Sequence, residues 1–136
     1  MLEVEVFGES LAPEGLAEEE VARLCRLAAA SRGIRHGHVA VEFVGAERIA
    51  QLNARHRDKP TPTDVLSFPI DEALPLGAGE HDHQRELGDI VICPAHTSDL
   101  GEAVVHGMLH LLGMDHETDA GEMLALQDEL MGEQSR

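Results

Sequence analysis

Tryptophan and tyrosine are absent from this 136-residue chain, and it holds only three phenylalanines. A core of this chain must therefore be built from Leu, Val, Ile, Met and Ala. A nucleic-acid surface based on stacked aromatic rings is excluded for the same reason. Cysteine occurs twice, as Cys25 and Cys93, with no CxxC or Cys/His finger spacing. That excludes a disulfide framework and a thiolate zinc finger, and leaves two buried, reduced thiols as the expectation. No apolar run approaches the ~18 residues of a membrane span. Basic residues are scarce: ten Lys and Arg stand against 26 Asp and Glu, a formal charge of −16. Such a charge favours solubility and repels polyanions at long range. The local exception is Arg48, Arg55, Arg57 and Lys59, close enough in sequence to form one basic patch. The first residues, MLEVEVFGES, are acidic and alternating, unlike a signal peptide, so a cytoplasmic location is expected.

What is present reads as one domain over residues 1–136, long enough to bury a core without covalent staples. Leu2, Val4 and Val6 alternate with Glu3 and Glu5, the period of a half-buried strand. Pro13 and Glu14 open a predicted helix running to about Arg32, with Leu16, Val21, Leu24 and Ala28 on its apolar stripe and Gly33 as its stop. Val39, Val41 and Phe43 form a second strand, and Ala46 to His56 a short helix with Ile49 and Leu52 inward. After turn material at residues 58–63, Asp64 to Ile70 reads as a third strand. Residues 71–86 form a long polar loop, and Leu87 to Cys93 a fourth strand. Asp64 and Asp89 read as turn or strand-end groups. A helix strongest from Glu102 to Leu112 and a last amphipathic helix from Asp119 to Met131 complete the chain. The expected fold class is α+β, one mixed, mostly four-stranded sheet covered by helices.

The chemistry concentrates in the segment from Glu102 to His116. Val104, Val105, Met108, Leu109, Leu111 and Leu112 surround the helix on nearly every side, which marks it as buried. Two histidines nevertheless sit in it at i and i+4, His106 and His110, on one face and about 6 Å apart along the axis. Gly113 lets the chain leave the helix, so that His116 can fold back toward the same point. Three neutral imidazoles with a vacant fourth position make a catalytic zinc arrangement, zincin-like and carried on a helix. The pattern departs from HExxH in placing Gly107 where the protease base would stand, which disfavours peptide hydrolysis by that mechanism. Asp115 and Glu117 are candidates for orienting the ligands. His56, His81, His83 and His96 are weaker metal candidates.

The run His106-Gly-Met-Leu-His110-Leu-Leu-Gly-Met-Asp-His116 closely resembles the motif of the YbeY family of bacterial endoribonucleases. Two further segments agree in order and spacing: Leu52-Asn53 through Arg57-Asp58-Lys59-Pro60 to Thr63-Asp64-Val65-Leu66-Ser67-Phe68-Pro69, and Leu87 to Cys93. The resemblance implies a zinc-dependent, single-strand-specific endoribonuclease. It would act in ribosomal RNA processing, at the 3′ end of the small-subunit RNA, and in ribosome quality control. It implies one Zn²⁺ on His106, His110 and His116, with Arg57 and His106 as catalytic residues. The implied partners are single-stranded ribosomal RNA, the small ribosomal subunit with its proteins, and the GTPase Era. Arg57 suits that role on chemical grounds, because a guanidinium clamps two phosphoryl oxygens and stays charged at any working pH. Two other readings of the same residues stay open here: a metal hydrolase of peptide or small ester bonds, and a non-enzymatic ribosome assembly factor stabilised by its metal.

Overall fold

The computed structural model describes residues 2–8, 11, 16–70 and 86–134. Four strands and four helices follow one another as β1 (Glu3–Phe7), α1 (Glu18–Ser31), β2 (His38–Phe43), α2 (Ala46–Arg57), β3 (Val65–Pro69), β4 (Glu86–Ile92), α3 (Leu100–Leu111) and α4 (Glu122–Gln134), with a 3-10 turn at Pro94–His96. The sheet order is β1-β2-β4-β3. β1 pairs in parallel with β2, and β2 with β4, whereas β3 joins β4 antiparallel at the edge. The sheet is thus mixed. A parallel neighbour requires a crossover, and α1 supplies it between β1 and β2.

Period-two alternation decides which side chains meet which helices. Val39, Val41, Phe43, Ile90 and Ile92 point to one face and join Val21, Leu24 and Ala28 of α1, Val105 and Met108 of α3, and Met123 and Leu130 of α4 in the main core. Leu66 and Val91 point the other way and are covered by Ile49 of α2, with Leu52 and Phe68 packed against them. Both cysteines are buried and free, and burial pushes the Cys25 thiol up to about 12, which leaves it inert.

The structure departs from the sequence expectation at the starts of α1 and α4 and at Asp89. α1 begins at Glu18, after an extended Ala17; Pro13 and Glu14, where the sequence opened the helix, lie outside the described residues. Glu18, Glu19 and Glu20 occupy its first turn, where the helix dipole favours acids. Leu16 still packs on the core from outside the helix, so its apolar signal was real but not helical. Asp119 precedes α4: its carboxylate accepts hydrogen bonds from the backbone N–H of Gly121 and Met123, the work of a cap. Asp89 is not a strand-end group but lies inside β4, opposite Ala40 and Phe68. Asp64 does sit just before β3, its carboxylate accepting from the Val65 N–H. The predicted polar loop falls, apart from Glu86, outside the described residues, and His81 and His83 with it.

α3 is the element that positions the site. Seven of its residues are buried, from Ala103 to Leu111, and it lies against β3, β4, α1 and α4. From Glu102 to Leu111 its accessible residues are Glu102, His106 and His110, at steps of four.

Candidate metal centre

α3 starts at Asp99, whose side chain accepts a hydrogen bond from the Glu102 N–H. It ends in a Schellman motif: the Gly113 N–H donates to the His110 carbonyl and the Met114 N–H to the Leu109 carbonyl, each at 3.0 Å. Gly113 takes φ +94°, a left-handed conformation that glycine adopts without a side-chain clash. The chain reverses there and enters a turn organised by Asp115, which accepts the Glu117 N–H on its carboxylate and the Thr118 and Asp119 N–H groups on its carbonyl. That turn brings His116 back over the helix edge.

The result is a convergence of three imidazoles. One ring nitrogen from each of His106, His110 and His116 lies within 4.8 Å of the others, and the ring centroids are 4.7–5.3 Å apart. All three rings are half-buried. Burial, and then the two neighbouring rings, hold the His110 pKa below its ordinary value, which favours the neutral imidazole that a metal needs. His106 is oriented by a residue the sequence analysis missed. Its Nδ1–H donates to Oε1 of Gln127 at 2.7 Å, leaving Nε2 with a lone pair for an ion. Gln127 is only 6% exposed, one of two buried polar residues among those described. The signal was present in the sequence: Gln127 interrupts the buried stripe formed by Met123 and Leu130, and a polar group placed there needs a partner. Three nitrogen donors, one held in a fixed tautomer, fit a divalent ion with an open position. Among the described residues no fourth Cys, Asp or Glu ligand atom joins the cluster.

The histidines face a cleft of about 670 Å³ that also takes in Arg57, His56, Asp64, Ser67, Asp115 and Glu117. Arg57 is the last residue of α2, and Asp58 follows it in a left-handed conformation with φ 58°. Arg48, Arg55 and Lys59 are exposed like Arg57, and none of the four forms an ion pair among the described residues. His56 packs its ring on Phe68, centroids 4.5 Å apart, so it is braced against the sheet. His96 lies in the 3-10 turn, exposed and outside the histidine cluster. Ser67 ties β3 to α3 by donating from Oγ to the Gly107 carbonyl at 3.0 Å. Position 107 itself faces the sheet: a Cβ there would stand 2.6 Å from Cγ2 of Ile90 and 3.3 Å from Cγ2 of Val65. A glutamate base could not occupy it without displacing the helix.

A mixed sheet with a buried helix presenting two histidines, and a third returning from the turn beyond it, defines a metal-dependent hydrolase of zincin-like layout. Within that class, the chain belongs to the endoribonuclease YbeY family, whose pattern it matches over residues 11–135. It is 42% identical over 134 residues to the endoribonuclease YbeY of Rubrobacter xylanophilus, covering 94% of this chain and 93% of that one. The endoribonuclease YbeY of Thermobifida fusca is 39% identical over 145 residues, covering 96% and 92%. The solution structure of a Thermotoga maritima protein superposes with a TM-score of 0.52 at 26% identity, covering 93% of this chain and 85% of the other.

Proposed function

We propose that the protein cuts single-stranded ribosomal RNA, in maturation of the small-subunit 3′ end and in ribosome quality control, with one zinc ion held by His106, His110 and His116. The observation that carries this reading is that the three imidazoles and the Arg57 guanidinium line one cleft. A bound divalent ion supplies Lewis acidity at the phosphoryl group. Imidazole donors suit zinc, and three of them with an open position are a catalytic rather than a sealed set.

The chain's own residues supply the rest. Burial disfavours protonation of His110, and Gln127 orients His106, so both can turn a ring nitrogen toward the ion. Arg57 offers a planar pair of N–H donors to the phosphoryl oxygens, where charge accumulates as the phosphodiester is attacked. Its exposure at the cleft rim suits a polymer that must enter from solvent. With Arg48, Arg55 and Lys59 it concentrates four of the chain's ten basic residues within 12 positions, which offsets locally the −16 overall charge.

Peptide hydrolysis is disfavoured because position 107 points into the sheet and has no room for a base. No described helix is long and apolar enough to cross a membrane, and we place the protein in the cytoplasm. The small ribosomal subunit, its proteins and the GTPase Era are the partners that this reading assigns. The test is cleavage of single-stranded RNA by zinc-loaded protein. We expect His110→Ala to abolish it. Arg57→Ala should slow it by about 10²–10³-fold, the usual cost of a lost charge-stabilising donor, with the melting temperature unchanged. Full cleavage by metal-free His110→Ala protein would refute the reading.

A further inference from the structure

The second buried polar residue among those described is Asn53, 3% exposed on α2. It stands one helical turn before Arg57. Between Arg57 and Asp64, which both line the cleft, runs a segment whose residues 58–62 are all exposed. Exposed residues give such a segment no apolar anchorage, and Pro60 and Pro62 have no N–H to donate. Among the described residues, its hydrogen bonds to the rest of the fold all end on Asn53. The N–H groups of Asp58 and Lys59 donate to the Asn53 carbonyl, and Asn53 Nδ2 donates to the Thr61 carbonyl at 2.9 Å. The remaining bond of the segment, Thr61 N–H to the Lys59 carbonyl, is internal.

The amide is not the side chain that stability alone would select. Asn53 Oδ1 is buried without a hydrogen-bond partner, the one side-chain N or O atom so placed among the described residues. A buried acceptor left unpaired opposes folding. Leucine has the same branched shape and would bury here without that penalty. What asparagine has and leucine lacks is the donor that reaches Thr61. Stability is thus given up for a fixed connection between two cleft-lining residues.

We infer that Asn53 is a positioning residue for Arg57: by pinning residues 58–62 to the last turn of α2, it holds the guanidinium at one place in the histidine cleft. Asp58 is the only non-glycine residue with positive φ among those described, and such a residue keeps its conformation only while its surroundings impose it. Released from Asn53, the segment would let the end of α2 fray, and Arg57 is the last residue of that helix. Its guanidinium would still meet the phosphodiester, but seldom with both N–H donors facing the phosphoryl oxygens. The inference rests on the endoribonuclease reading for the role of Arg57, and one arm of its test needs no RNA.

Asn53→Leu removes the donor and the unpaired acceptor together, and the exposed Thr61 can turn its carbonyl to water. This variant should melt at or above the wild-type temperature. Asn53→Ala carries the same kinetic test should the larger side chain not fit. In zinc-loaded protein, either change should lower kcat on single-stranded RNA about 10–100-fold with KM within about twofold, because the charge that Arg57 meets builds up only in the transition state. In an Arg57→Ala background the same changes should cost less than about twofold, the mark of two residues acting through one step. Without RNA, amide exchange at Arg57, Asp58 and Lys59 should quicken in Asn53→Leu while zinc affinity stays that of the wild type. Wild-type kcat in both variants, an equally large loss in the Arg57→Ala background, or unchanged exchange at those three residues would overturn the inference. Quickened exchange beside intact zinc binding, in a protein that cuts no RNA, would support the pin and sink the nuclease reading.

Discussion

Replacing Gln127 by methionine removes one hydrogen-bond acceptor from the site while keeping the volume and apolar fit of the α4 stripe. Gln127 is 6% exposed and its Oε1 lies 2.7 Å from His106 Nδ1. In the metal-free variant, His106 can move its ring proton to Nε2, which faces the cleft, so the fold loses little. Binding an ion forces the proton back to Nδ1, now without an acceptor. A buried donor left unpaired costs about 1–3 kcal/mol, and that corresponds to a loss of roughly 10–100-fold in metal affinity, the range found for such supporting contacts. Zinc titration against a competing chelator reads this number directly. The companion measurement is the melting temperature of the metal-free proteins, which should agree within a few degrees because Met123 and Leu130 still anchor α4. Gln127→Glu, which restores the acceptor, should recover wild-type affinity or exceed it. If Gln127→Met binds zinc within twofold of the wild type, the contact does not orient His106 and the argument fails.

Three further outcomes follow from other parts of the molecule. Gly107→Ala gains about 1 kcal/mol of helix propensity but drives a methyl to 2.6 Å from the stiff Ile90 side chain, an overpacking that costs about 1–3 kcal/mol. It should destabilise the wild type and stabilise an Ile90→Ala background; equal effects in both, measured by denaturant melts, would show that the contact is not limiting. His38 donates to Glu86, both carboxylate oxygens at 2.8 Å, and to Glu5, and these bonds, Glu86 first, raise its pKa against the opposing effect of burial. A raised pKa contributes stability fully present below the unfolded value of about 6.5 and lost as pH climbs through the folded one. The stability gap between wild type and His38→Gln should therefore be widest below about pH 6 and narrow toward alkaline pH, and a gap that widens instead would reverse the assignment. Chelation should leave far-UV circular dichroism intact, since α3 is held by seven buried residues, while amide exchange quickens at residues 114–118; global unfolding on chelation would instead make the metal a structural staple.

The parts of the site legible in the sequence are those set by local geometry. The i, i+4 spacing of His106 and His110 and the helix stop at Gly113 are consequences of helical pitch and backbone sterics, which operate within a few residues. The element order also followed from periodicity, and it stands strand, helix, strand, helix, strand, strand, helix, helix. Boundaries were less secure. Leu16 mimicked a helical core position because it reaches the same core from an extended segment, and Asp119 was counted as helix because a cap sits next to what it caps.

Tertiary structure alone decided the rest. That β4 inserts between β2 and β3, that position 107 meets Ile90, that Gln127 reaches His106 across 21 residues, and that Arg57 shares a cleft with His110 all depend on pairings between distant segments. Periodicity says which face of an element is buried but not which partner buries it, because apolar burial is non-directional. Register and helix docking select among partners that local sequence cannot tell apart. The amino-acid order thus determined the histidine trio and the elements that carry it. Packing determined the amide that orients His106 and the cleft that the trio shares with Arg57.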